Sequence, residues 1–311
     1  MNRQTVYAGI LGGVVADALG VPYEFNSYEQ MQENPATEMT GYGTYHQPPG
    51  SWSDDSSMTI ATMDSLINGV DYEDMIGKFC EWLFDAKYTP RDVVFDHGKT
   101  TYCALYNYRH NHLDSLECGQ DGVRDNGNGS LMRIMPVSLY AYAKGLQVEE
   151  QMGLIDNVSS LTHAHSISKA SCNIFNFVVQ EVLNNPDEDF KALIENALDK
   201  SGKYYDNDEY DCFNRIYDSL FLLNDDEIGS GGYVVASLEV ALYSCYHTDN
   251  YEEAVLRAVN YGGDTDTNAI IAGGLAAVYY GFDGIPDEWL DTLIRLDYIK
   301  GLCDEFYKSL K

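Results

Sequence analysis

Apolar positions recur at three- and four-residue spacing along most of the chain. Residues 56–67 (SSMTIATMDSLI), 74–84 (DMIGKFCEWLF), 130–145 (SLMRIMPVSLYAYAKG), 167–183 (ISKASCNIFNFVVQEVL), 189–198 (DFKALIENAL), 233–246 (YVVASLEVALYSCY) and 268–281 (NAIIAGGLAAVYYG) all carry this period. Such spacing predicts helices with an apolar face. Pro186, Pro286 and the loops GVRDNGNGS and YDNDEYD fall between these stretches as breakers. The alternation of half-buried strands is nearly absent, and no strand–helix–strand succession appears, so the pattern predicts an all-α fold. No Pro- or Ser-rich linker divides the 311 residues, and residues 1–311 read as a single large domain.

The stretch GGVVADALGVPYEF, residues 12–25, admits two readings. Its small-residue run and Ala-Asp-Ala suit a cleavable leader. Only Arg3 supplies charge upstream, however, and Gly9, Gly12 and Gly13 interrupt the apolar run. Apolar residues also continue past Asp17 as Ala18, Leu19 and Val21. A leader needs a basic start and an unbroken apolar segment, so residues 12–25 are expected to stay in the fold. No segment approaches the ~18 uninterrupted apolar residues of a bilayer span, and no membrane association is expected.

Charge excludes one class of partner. Nineteen Lys and Arg against 49 Asp and Glu leave a formal net charge of −30, which opposes bulk binding of nucleic acid through phosphate neutralisation. The seven cysteines lie at least fifteen residues apart and form no CxxC pair. Their odd number and spacing suit reduced thiols in a cytoplasmic protein better than a disulfide framework, and a monomer is expected.

Two acidic clusters stand out, GSWSDDSSM at 50–58 and NYGGDTDTNAI at 260–270, each just before an expected helix. Capping explains part of this, because Ser, Thr and Asp accept hydrogen bonds from first-turn N–H groups and negative charge suits a helix start. Each cluster supplies more oxygen-bearing side chains than capping needs, and the excess suits a cation. Carboxylates and hydroxyls favour Mg²⁺, Mn²⁺ or Ca²⁺ over zinc or copper. An EF-hand is excluded because Ala269 and Leu275 stand where its Gly and Glu belong. Spacing alone does not say whether the two clusters meet.

Taken in order, GGVVADALGVPYEF, GSWSDDSSM, GNGSLMRIMPVSLY, SLTHAHS and GGDTDTNAIIAGGLAAVYYG resemble the successive motifs of the ADP-ribosylglycohydrolase family, which includes the dinitrogen-reductase-activating glycohydrolases. The resemblance runs from about Gly9 to Gly281. It implies an orthogonal bundle of helices with two divalent cations, Mg²⁺ or Mn²⁺, at the base of a cleft. It also implies hydrolysis of the glycosidic bond between ADP-ribose and an acceptor. Carried over by position, Ser53, Asp54 and Asp55 would hold one ion, and Asp264, Asp266 and Thr267 the other. Glu24, with Asp54 and Asp55, would form the catalytic carboxylate set. Gly127, Asn128, Gly129, Ser130 and His163 would bind the substrate, the glycine loop by close backbone approach to the pyrophosphate.

Other positions read as structural. Asp17 lies in an apolar run and is expected to be a buried, hydrogen-bonded helix residue. Arg133 is expected in an internal salt bridge rather than on a phosphate, and His165 carries less weight than His163. Ser53 and Ser56 stand where the family commonly has threonine, which keeps the hydroxyls. Which of the 25 tyrosines, or Trp52, stacks on adenine is not specified, and neither is the acceptor, although the acidic surface leans towards an arginine-rich protein. Two other readings stay open: an ADP-ribose-binding or structural protein without catalysis, and a two-metal hydrolase of phosphoesters.

Overall fold

The computed structural model describes the backbone of residues 1–311 and every side chain except that of Asp208. The all-α expectation holds. Among the described residues there is no β-strand, only isolated bridges such as Gln120 with His163 and Gly127 with Tyr233. The longer helices are α1 (Arg3–Gly20), α2 (Asp54–Leu66), α3 (Tyr72–Asp85), α4 (Lys99–Asn111), α5 (Met135–Ala143) and α6 (Val148–Ser160), followed by α7 (Ser166–Asn184), α8 (Phe190–Tyr205), α9 (Val234–Tyr246), α10 (Tyr251–Asn260), α11 (Thr265–Tyr280) and α12 (Leu296–Ser309).

The structure departs from the periodic reading where the pattern had no second face or met a proline. Helix α1 is buried continuously from Val6 to Gly20 and so shows no polar stripe. Its segment from Arg3 to Tyr23 is long and apolar enough by composition to cross a membrane, but 94% of that window is buried inside the fold. The single helix expected over 130–145 instead starts at Met135, after a short turn at Asn128–Ser130. Pro136 stands in the first turn of α5, because its ring excludes the hydrogen bond that would extend the helix backwards.

Small residues bring α1 against α11. A Cβ on Gly12 would lie 2.3 Å from the Ala277 Cβ, and one on Gly20 would lie 2.6 Å from the Asp266 Cα, so the two backbones pack with no side chain between them. Two buried hydroxyls pin this contact: Tyr251 donates to the Gly12 carbonyl at 2.6 Å and Thr265 donates to the Gly20 carbonyl at 2.8 Å. The pairing carries the end of α1, with Asp17, to the start of α11, with Asp266.

Candidate functional site

The two acidic clusters do meet. The Thr267 hydroxyl donates to Asp55 Oδ1 at 3.2 Å across 212 positions of sequence. Helix α2 starts at Asp54 with Ser53 as its cap, the Ser53 hydroxyl accepting from the Asp55 N–H at 3.2 Å. Asp17, from α1, accepts from the backbone N–H groups of Ser53 and Ser56, each at 3.1 Å, and from the Ser56 hydroxyl. It is buried and hydrogen-bonded, as expected, and it fixes the first turn of α2 to α1. Helix α11 begins opposite, with Asp266 in its first turn. Two helix N-termini, each favourable to negative charge, thus face a third carboxylate.

The oxygens gather in two groups. Single carboxylate oxygens of Asp17, Asp55 and Asp266 all lie within 4.8 Å of one another, and so do those of Glu24, Asp264 and Asp266. Asp266 belongs to both. Asp54 lines the cleft beside them but belongs to neither group, whereas Asp17 and Glu24 join sets that the sequence reading assigned without them. Glu24 Oε2, Asp55 Oδ2 and Asp266 Oδ2 are buried with no hydrogen-bond partner.

Burial raises every one of these carboxyls whose shift is resolved. Asp17 is pushed up to about 6, with the Ser53 and Ser56 hydrogen bonds partly opposing. Glu24 rises to about 8 through burial and the nearby charge of Asp96. Asp54, Asp55 and Asp266 are pushed well above the usual range by burial and then by neighbouring carboxylates, Asp96 first for Asp54, Asp54 for Asp55 and Glu24 for Asp266. Buried, mutually repelling carboxylates with orphaned oxygens require compensation. The donor set holds no His or Cys, so it fits hard divalent cations such as Mg²⁺ or Mn²⁺.

Above this floor lies a cleft of about 310 Å³, lined by Glu24, Phe25, Asp96, Gly127, Asn128, Gly129, His163 and Asp264 among others. The glycine loop is held against Gly232, with the Asn128 N–H donating to its carbonyl at 3.2 Å. The Asn128 side chain donates to Ser237 Oγ at 2.8 Å and to Asp264 Oδ2 at 3.0 Å, which couples the loop to the carboxylates. Ser130 is buried and does not line the cleft, and its hydroxyl accepts from Ser159 at 2.9 Å instead.

His163 is buried at the cleft wall beside Gly129. Its Nδ1 lies 2.8 Å from the Thr162 hydroxyl, which accepts from Arg133 Nη2 at 2.8 Å. The Thr162 hydroxyl can donate to Nδ1 while it accepts from Arg133, and in that arrangement Nε2, which faces Gly127 and Gly129, carries the proton. Burial, with the Arg133 charge, lowers His163 to about 3, so the ring is neutral near pH 7. Arg133 itself forms neither of the contacts weighed from the sequence. It is fully buried, has no salt bridge among the described residues, and is bonded to the carbonyls of Gly129 and Val158 while lying 4.8 Å over the Phe79 ring. Burial lowers it to about 10.

Three cleft features escaped the sequence reading. Asp96 lies beside Glu24 in the cleft and is raised by burial. Helix α4 enters the cleft through Gly98, which offers no side-chain cap, and the Thr101 hydroxyl there is buried and unpartnered. Phe25 stands exposed at the mouth. None belonged to a cluster, and only the fold brings them together.

A depression of about 340 Å³ lies elsewhere, lined by Glu195, Tyr217, Phe221 and Tyr246 among others. Among the described residues it carries no orphaned buried oxygen, so the chemistry points to the acidic cleft.

The chain is similar to known proteins along nearly its whole length. The family model described as ADP-ribosylglycohydrolase matches residues 2–311. The chain is 28% identical over 308 residues to an ADP-ribosylarginine hydrolase, Tri1, of Serratia proteamaculans, covering 96% of this chain and 77% of that one. It is 28% identical over 287 residues to the ADP-ribosyl-[dinitrogen reductase] glycohydrolase of Rhodospirillum rubrum, covering 91% and 88%. A solved structure titled ADP-ribosylglycohydrolase-related protein complex superposes with a TM-score of 0.83 at 26% identity, covering 99% of both chains.

Proposed function

The chain belongs to the ADP-ribosylglycohydrolase family, and from that premise we propose that it hydrolyses the bond between ADP-ribose and the guanidinium of an arginine acceptor, with two divalent cations, Mg²⁺ or Mn²⁺, as cofactors. The observation that carries this reading is the cluster of orphaned carboxylate oxygens at the floor of a cleft whose wall is a glycine loop. The arginine acceptor is supported by the hydrolase from Serratia proteamaculans and by a net charge of −30, which attracts basic protein segments.

Asp17, Asp55 and Asp266 would hold one cation, and Glu24, Asp264 and Asp266 the other, with Ser53, Asp54 and Thr267 alongside. When bound, the cations supply positive charge that orients the ribose hydroxyls and makes water more acidic. The chain's own groups do the rest. The glycine loop allows close backbone approach at Gly127 and Gly129, while the uncapped start of α4 offers N–H groups. His163 Nε2 adds a neutral donor, so the pyrophosphate is held without a paired arginine.

Glu24 and Asp96 divide the proton work. The water oxygen attacks C1′ of the ribose as Glu24 takes its proton. The C1′–N bond breaks, its electron pair stays on the leaving guanidine nitrogen, and Asp96 supplies the proton that nitrogen takes up. Burial raises Asp96 and so favours the proton it supplies, while a cation held beside Glu24 would keep that carboxyl ionised and able to accept one.

The test is mass spectrometry of defined acceptors, ADP-ribosylated on arginine or serine, before and after treatment with Mg²⁺ or Mn²⁺ present. Release of ADP-ribose from arginine, abolished by Asp266→Asn, is the expected result. Unchanged activity in Asp266→Asn overturns the assignment. Phosphate release from a phosphoester panel without glycohydrolase activity would favour the two-metal esterase, and calorimetric ADP-ribose binding without turnover on any acceptor would favour a binding protein.

A further inference from the structure

Phe25 combines two features that a folded chain normally avoids. Its φ is 67°, in the left-handed region that disfavours bulky residues. It is also 71% exposed, so its ring gains little from burial. The backbone there is imposed from both sides: the Phe25 N–H donates to the Gly263 carbonyl at 2.7 Å, and the Gly263 N–H donates to the Asn26 carbonyl at 2.8 Å. This frame requires the conformation but not the ring, since glycine adopts a positive φ more readily. Strain held in place by its surroundings, at the mouth of a cleft, directs attention to what the side chain does there.

The ring lines the cleft directly after Glu24 in sequence. It packs loosely against Tyr45, with centroids 6.5 Å apart, and Tyr45 lies 5.1 Å from Phe95, the residue before Asp96. An aromatic row therefore borders the two carboxylates assigned to proton transfer. An aromatic face beside carboxylates suits a planar cation, which gains from both at once. Adenine can stack on the same face but carries no positive charge for the carboxylates to balance.

We propose that Phe25 is an acceptor-binding residue whose exposed ring packs against the guanidinium of ADP-ribosylated arginine beside Glu24 and Asp96. The proposal rests on the ADP-ribosylarginine hydrolase reading. It gives the strained residue a role at the leaving side of the bond, and Phe25 sets acceptor preference without touching the pyrophosphate.

The experiment compares wild type, Phe25→Gly and Phe25→Tyr, each loaded with Mg²⁺ or Mn²⁺. Wild type must first release ADP-ribose from an arginine-modified peptide, and failure at this step overturns the hydrolase reading before any variant is compared. Phe25→Gly relieves the positive φ, so its Tm should equal or exceed that of wild type, which separates loss of function from loss of fold. Its Kd for free ADP-ribose should stay within about twofold, while kcat/KM on the arginine-modified peptide falls about 3- to 30-fold, mainly through KM, the range of a guanidinium–ring contact. Phe25→Tyr should recover most of the loss. An unchanged kcat/KM in Phe25→Gly overturns the proposal, and so does an equal loss of free ADP-ribose affinity, which would assign the ring to the nucleotide.

Discussion

Arg133 Nη2 donates to the Thr162 hydroxyl at 2.8 Å in the buried interior behind the cleft. That hydroxyl also sits 2.8 Å from His163 Nδ1, so one hydroxyl links a buried cation to a cleft residue that the cation does not touch. Thr162→Val keeps the shape and removes the relay. Nδ1 then loses its partner, and nothing fixes which nitrogen of His163 carries the proton. The expected result is ADP-ribose binding weakened about 3- to 10-fold, the worth of one hydrogen bond, with a stability loss of about 1–2 kcal/mol from the partner that Arg133 loses. Calorimetry and denaturant unfolding measure these, with Thr162→Ser restoring both.

The carboxylate cluster predicts an inverted pH dependence when divalent cations are removed. Glu24 rises to about 8 and Asp17 to about 6 in the fold, against ordinary values of 4.5 and 3.8. The native state therefore holds protons that the unfolded chain has released, and stability falls as pH rises through the folded values. The slope is about 1.4 kcal/mol per pH unit for each such proton. His163, lowered to about 3, acts in the opposite sense below about 6.5, so the diagnostic window is pH 6.5 to 8. In EDTA the Tm should drop across that window. With millimolar Mg²⁺ or Mn²⁺ the drop should vanish, because cations bind the deprotonated carboxylates more strongly as pH rises. A flat profile in EDTA would mean that the cluster is compensated within the protein.

Asp96 was invisible as a single acid in VFDHGKTT, yet the fold sets it beside Glu24. Asp96→Asn should lower kcat by about 10²- to 10⁴-fold, the usual worth of a proton-transfer group, and leave the ADP-ribose Kd within a few fold. Glu24→Gln should show a similar loss of kcat. Steady-state kinetics with calorimetry distinguishes this from a binding role, and a wild-type kcat in Asp96→Asn would leave the proton work to Glu24 alone.

What the sequence revealed follows from where information is local. The clusters around Asp54, Asp55, Asp264 and Asp266 were legible because their oxygens crowd into strings of five residues, more than capping uses. Helices α3 and α8 were legible because each has one apolar and one polar face. Helix α1 has no polar face to create a period, and its glycines, which in the sequence only interrupt an apolar run, form the backbone contact with α11. Arg133 was misread because its carbonyl partners on Gly129 and Val158 belong to the turn at Asn128–Ser130 and to α6, and charge patterning does not register carbonyls. Asp17 was read correctly as a buried, hydrogen-bonded residue, but its place in an oxygen triad depends on α2 and α11 converging on it.

Two glycines give the last prediction, with opposite signs. A Cβ on Gly20 would lie 2.6 Å from both the Asp266 Cα and the Thr265 carbonyl oxygen, and these are backbone atoms that cannot rotate away. Gly20→Ala must push α11 from α1, at a cost of about 1–3 kcal/mol or more. It should also lower divalent-cation affinity, because Asp266 belongs to both oxygen groups. Gly77, inside α3, has nothing within 4 Å of its missing Cβ. There alanine only removes backbone freedom from the unfolded chain and should stabilise by about 0.5–1 kcal/mol. Thermal unfolding with and without Mg²⁺ compares the two, and a Gly20→Ala protein that keeps both its stability and its cation affinity would show that the α1–α11 contact does not set the position of Asp266.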